Sequence, residues 1–169
     1  CAVTTTADGT APVPAGSLRE KLADTSCDAI TFALPGSAPW TITLAGNLPT
    51  VQRTVSVTGP GAASLGVDGN FTSASTAFPL GAGGHLTLSG LTVSGASTGV
   101  ALVAGSSATV TASDVSGFSV ALRFAGGGVA TLAVSPVAGS RTARSFNAGG
   151  TANLTVSTGG AGGTSGPRY

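Results

Sequence analysis

From about residue 81 onward, apolar positions recur at a fixed interval of 22 residues. Leu88, Val110, Leu132 and Leu154 form one column, and Leu86, Ala108, Ala130 and Ala152 a second. Val93, Val115 and Val137 form a third, and Gly95, Gly117 and Gly139 a fourth. Inside each copy, apolar and polar residues alternate, the signature of a strand with one buried face. Aligned columns at a period of roughly 20 to 25 residues mark stacked copies of one small unit. Each copy offers a strand at Leu88 and its equivalents, a glycine corner, and a shorter strand around Val93. A third strand follows at Val100-Ala101-Leu102 and again at Val120-Ala121-Leu122. Three short strands and three corners per turn predict an all-β protein, a right-handed parallel β-helix of about 22 residues per coil.

Upstream, the same alternation continues without the fixed interval. Ile30 to Leu34, Trp40 to Leu44, Val55 with Val57, and Leu65 with Val67 read as strands bounded by Pro35-Gly36, Gly46-Asn47, Gly59-Pro60-Gly61 and Asp68-Gly69-Asn70. Residues 1–28 differ. Ala2 to Thr6 reads as a short strand and Asp8-Gly9 as a turn. Ser17 with Glu20 three residues on has the spacing of a capping box, which predicts a short helix with Leu18 and Leu22 on one face. Such a helix suits the end of a hydrophobic stack. The organisation expected is therefore a capping segment at 1–28, a β-helix at 29–158 and a Gly-rich tail at 159–169.

Cys1 and Cys27 are the chain's two cysteines. A disulfide between them fits an exported protein. Lipid attachment at Cys1 and two buried thiols are the alternatives. A chain opening on Cys rather than Met suggests a processed N-terminus. No apolar run approaches the length of a membrane span.

The chain has 169 residues, of which 8% are charged, with a net charge of +1. Ordinary globular chains carry about 25% charged residues, so this surface is built from Ser, Thr, Gly and Ala. An uncharged surface favours association. Seven basic residues against six acidic ones form no stripe for nucleic acid.

Gly16-Ser17-Leu18-Arg19-Glu20-Lys21-Leu22-Ala23-Asp24, followed by Asp28-Ala29-Ile30-Thr31-Phe32, resembles the N-terminal motif of the CSLREA-type β-helix proteins. Val57 to Gly61 and Leu86 to Gly95 are similar to that family's rungs. Gly16 stands where the motif has its leading cysteine. The resemblance implies an exported, mostly bacterial β-helix of the pectin-lyase-like kind, often part of a surface protein, and implies no particular activity.

An enzyme on this scaffold needs clustered carboxylates, either as calcium ligands or as an acid/base pair. The acids are Asp8, Glu20, Asp24, Asp28, Asp68 and Asp114. Four belong to the capping segment. Asp68 and Asp114 are the candidate catalytic acids, with Arg123 as a partner, but Asp68 precedes Gly69-Asn70, where an Asx turn is the simpler role. His85 is the chain's one histidine and is expected to be structural. No metal, cofactor or catalytic residue is assigned.

The outward columns carry hydroxyls. Thr87 and Ser89 are followed by Thr109 and Thr111, then Thr131 and Ala133, then Asn153 and Thr155. Solubility and β-propensity account for such a ladder, and it also suits a packing face for neighbouring copies or an ice-binding plane. Charge is split by end. Residues 1–28 carry four acids against Arg19 and Lys21, a net of −2, while Arg123, Arg141, Arg144 and Arg168 lie beyond residue 114 with no acid. Asp24, Asp28, Arg123, Arg141 and Arg144 are thus candidate end-to-end contacts, and the last coil is expected to end without a cap. These features suggest a non-catalytic, self-assembling extracellular protein whose partners are copies of itself or other surface components. A carbohydrate-active or carbohydrate-binding protein, or an ice-binding protein, is the alternative.

Overall fold

A computed structural model describes residues 1–70, 76–111, 114–115, 120–125, 128–134, 144–146 and 151–156. Short strands with small polar outward residues and branched inward ones fold into three parallel sheets. The long sheet contains β1 (Ala2–Val3), β2 (Ala29–Phe32), β4 (Thr54–Thr58), β7 (His85–Ser89), β10 (Ser106–Thr111), β13 (Gly128–Val134) and β15 (Thr151–Val156), in that order. The second sheet is β3 (Trp40–Thr43), β5 (Leu65–Asp68), β8 (Thr92–Ser94) and β11 (Asp114–Val115). The third is β6 (Thr76–Pro79), β9 (Thr98–Val103), β12 (Val120–Ala125) and β14 (Arg144–Phe146). Together they form a β-solenoid of about four turns.

The register explains both the regular half and the irregular half. Leu88 pairs with Val110, Val110 with Leu132 and Leu132 with Leu154, as the 22-residue interval requires. Upstream the same sheet continues, but Ile30 pairs with Val57 and Val57 with Leu88, intervals of 27 and 31. The corners there are longer, so equivalent residues stack in space without a fixed spacing in sequence. Inward columns such as Ile30, Val57, Leu88 and Val110 are fully buried. Each such Leu or Val contributes roughly 1.5–3 kcal/mol of burial.

The third sheet also steps by 22 residues between β9 and β12. Val120-Ala121-Leu122 matches Val100-Ala101-Leu102 by letter, yet Val100 pairs with Leu122 and Val120 with Thr98. A shift of two residues keeps the same face inward, so composition alone does not choose between the two pairings. The neighbouring long sheet, locked at 22, does. Strand β6, with Phe78 fully buried, is a further element that alternation did not announce. The C-terminal segment assigned to residues 159–169 lies outside the described residues.

The cap closes the first turn. Ser17 is the N-cap of α1 (Leu18–Ala23) and accepts a bond from Glu20 N at 3.1 Å. Glu20 Oε2 returns to Gly16 N at 2.7 Å rather than to Ser17 N, because Ser17 N already donates to Pro14 O. Leu18 and Leu22 are buried against the stack. The predicted strand at Ala2 to Thr6 shortens to Ala2–Val3, since Thr4 N turns away to Gly16 O. Cys1 and Cys27 form a disulfide, with their Cα atoms 5.6 Å apart.

Tight corners require glycine at defined places. Gly90 has φ +64° and stacks on Gly59, and a Cβ on either would overlap the other's backbone. Gly95 has φ +72°, and a Cβ there would overlap Asp68 Oδ1.

Candidate assembly surface

Ionisable residues are sorted by sheet. Across the described strands of the long sheet, His85 is the one ionisable side chain. The second sheet carries only acids, Asp68 and Asp114, and the third only arginines, Arg123 and Arg144.

The outward side of the long sheet is therefore a ladder of small uncharged groups. One column runs Ala29, Ser56, Thr87, Thr109, Thr131, Asn153 in register. A second runs Thr58, Ser89, Thr111, Ala133, Thr155. A third runs Thr54, His85, Ser107, Val129, Thr151. Thr54, Thr58 and Thr87 are exposed, while Ser56, Ser89, Thr109, Thr111 and Thr131 are half-buried by their neighbours. Ser89 Oγ lies 3.4 Å from Thr58 Oγ1, at the long limit of a hydrogen bond. Val129, 48% exposed, adds an apolar spot beside Ser107. The expected assembly residues thus share one face; Asn153 and Thr155 are placed on it by register.

The candidate catalytic residues are divided between two sheets, Asp68 and Asp114 on the second and Arg123 on the third. Asp68 Oδ1 accepts Asn70 N at 2.9 Å, the expected Asx turn. Asp114 pairs with Thr92, and Asp68 with Ser94, two strands and two residues apart. That places their backbones about 12 Å apart at ordinary sheet spacings. Arg123, exposed, lies on the third sheet in line with Ala101 and Pro79, away from both acids. Among the described residues, no three His, Cys, Asp or Glu side chains group as metal ligands.

The acids of the capping segment have local partners. Asp8 is not a simple turn residue. Its carboxylate is 1% exposed and paired with Arg19. Asp24 folds back on Ser26, accepting from both Ser26 N and Ser26 Oγ. The Ser26 hydroxyl and then the Ser26 amide hold the Asp24 carboxyl below its ordinary range. Lys21 and then the Gly16 amide do the same for Glu20. Asp28 is 73% exposed, and its Oδ1 lies 3.4 Å from Arg53 Nε, an ion-pair distance without good hydrogen-bond geometry. Of the expected end-to-end cations, Arg144 takes the register position next to Leu122, in line with the buried column Phe78 and Val100. Arg141 and Arg168 lie outside the described residues.

Arg53 has a role that the sequence did not signal. It donates to the carbonyls of Leu22 at 3.1 Å, Asp24 at 2.7 Å and Cys27 at 2.9 Å, tying the end of α1 to the stack. A groove of about 190 Å³ lies there, lined by Leu22, Ala23, Thr25, Thr50, Gln52 and Arg53. It is smaller than typical ligand pockets of about 300–1,000 Å³. Among the described residues no helix is long and apolar enough to cross a membrane.

Fold and surface together define a parallel β-solenoid with a disulfide-bonded N-terminal cap and one broad hydroxyl face. No protein-family model matches the chain, and no curated protein or solved structure does either.

Proposed function

We propose that this chain is a non-catalytic structural protein of the cell exterior, a subunit that associates with copies of itself through the hydroxyl face of the long sheet. One observation carries the reading: the described strands of the seven-stranded sheet hold no fixed charge, so two copies of this face would meet without like-charge repulsion. Most of the acids also have structural work. Asp8 is sealed in an ion pair, Asp68 closes a turn, and Glu20 and Asp24 shape the cap. The disulfide suits an oxidising compartment outside the cytosol. The likeness of residues 16–32 to the CSLREA-type motif points the same way. Electron microscopy of the purified chain tests the reading: ordered particles or filaments support it, and dispersed single subunits at high concentration count against it.

A second reading has one observation in its favour. Thr87, Thr109 and Thr131 repeat on adjacent strands at one sheet spacing, a regular array of hydroxyl and methyl groups that suits ordered water. Thermal hysteresis that disappears in Thr109→Lys would support ice binding over self-association.

A further inference from the structure

We infer that self-packing of the hydroxyl face is gated by the protonation of His85, so that copies associate when the imidazole is neutral and separate when it is charged. The inference rests on the self-assembly reading and names its regulation.

His85 is exposed and opens β7, the fourth of the seven strands, at the middle of the face. Its Nδ1 lies 2.7 Å from Ser107 Oγ on the adjacent strand. The strands packed on either side, β4 and β10, contain no titratable residue. Charged groups flank other strands of the sheet: Arg53 precedes β4, Asp28 precedes β2, and the Cys1 ammonium donates to Ala29 O at 2.7 Å. The Arg53 carbonyl accepts His85 N at 2.9 Å, while its guanidinium is turned onto the carbonyls of Leu22, Asp24 and Cys27 beside Asp28.

Size explains why one group is enough. Seven strands at about 4.8 Å and about five residues per strand give a footprint of roughly 500 Å² per copy. About 1,000 Å² in total is the lower bound for a specific interface and typical of reversible ones. A twofold contact through the sheet centre covers β7 of both copies. Neutral imidazole fits this surface, since it exchanges a hydrogen bond with Ser107 whichever tautomer it adopts. Imidazolium does not. The same face of the partner offers hydroxyls and methyls and no carboxylate, so two cations lose water without gaining a counter-charge. Histidine is the side chain whose ordinary titration falls between about pH 5 and 8.

Sedimentation velocity at pH 8 and pH 5.5 tests the gate, with melting temperatures at both pH values as the control for folding. The wild-type chain should be associated at pH 8 and should lose roughly tenfold or more in association constant at pH 5.5. In His85→Gln the pH dependence should vanish: whatever weight the variant reaches at pH 8, it keeps at pH 5.5. His85→Lys should stay in its small form at both. Equal association of the wild-type chain at both pH values, or an unchanged pH response in His85→Gln, overturns the gate and leaves the assembly reading standing. A monomer at both pH values overturns the assembly reading and the gate with it.

Discussion

Arg19 and Asp8 form a two-point ion pair beneath the N-terminal cap, Nε to Oδ1 at 2.8 Å and Nη2 to Oδ2 at 2.6 Å. Their side chains are 7% and 1% exposed. Further hydrogen bonds surround the pair. Arg19 reaches the carbonyls of Asn47 and Gly46, and Asp8 Oδ2 accepts Ala45 N. The pair thus fixes the loop before α1, the helix itself and the corner after β3 as one unit. Asp8→Ala leaves a buried guanidinium uncompensated and should cost about 3–5 kcal/mol in urea denaturation. Asp8→Ala combined with Arg19→Met should recover part of that loss, because the stranded charge goes too.

Two glycines with similar φ values separate backbone strain from crowding. Gly36 has φ +77° with open space where a methyl group would sit, whereas Gly90, at φ +64°, faces the Gly59 backbone of the neighbouring turn. Gly36→Ala should cost about 1–2 kcal/mol, the conformational penalty alone. Gly90→Ala should cost clearly more, because the two corners must move apart. Paired thermal melts measure the difference, and equal costs would mean that the corners are not in contact.

Acid should loosen the cap before the stack. Glu20 and Asp24 have carboxyl groups held below their ordinary values by Lys21 and by Ser26. A depressed folded-state value means that the stabilisation is fully present above the ordinary carboxyl range and is lost as pH falls through the folded-state values. The window therefore lies below about pH 4. Hydrogen exchange should show residues 17–28 losing protection there while β7 and β10 remain protected, and Asp24→Asn should remove part of the transition.

The Cys1–Cys27 bridge closes a loop with a sequence separation of 26. Reduction should lower stability by about 3.5 kcal/mol in the chain-entropy account. Because β1 and α1 both belong to that loop, the loss should appear first as exchange of the cap and of β2, its partner strand.

The repeat made the downstream turns legible. Leu88, Val110, Leu132 and Leu154 announced their own stacking, and Ser17 with Glu20 announced the helix. What the sequence hid was pairing across unequal corners. The 31 residues between Val57 and Leu88 break the interval, although the two side chains are neighbours in one column. The repeated Val-Ala-Leu letters at 100 and 120 pointed to a pairing two residues from the real one, since strand periodicity tolerates that slip. The polar fixtures were hidden for the same reason. Asp8 reads locally as a turn residue, and no local pattern marks Arg53. Each acquires its role from partners 11 and 31 residues away, Arg19 and the Leu22 carbonyl. His85 read as a lone structural histidine. Its place as the one ionisable group of the long sheet's described strands emerges only once the strands are assigned to sheets.

The hydroxyl face is tested most directly by placing a charge at its centre. Thr109 lies on β10 between Thr87 and Thr131 in register. Sedimentation velocity across a concentration series should show the wild-type chain associating at pH 8. Thr109→Lys should remain monomeric with an unchanged circular dichroism spectrum and melting temperature. A wild-type chain that stays monodisperse and monomeric at high concentration, or a Thr109→Lys variant that associates as the wild type does, would contradict assembly through this face.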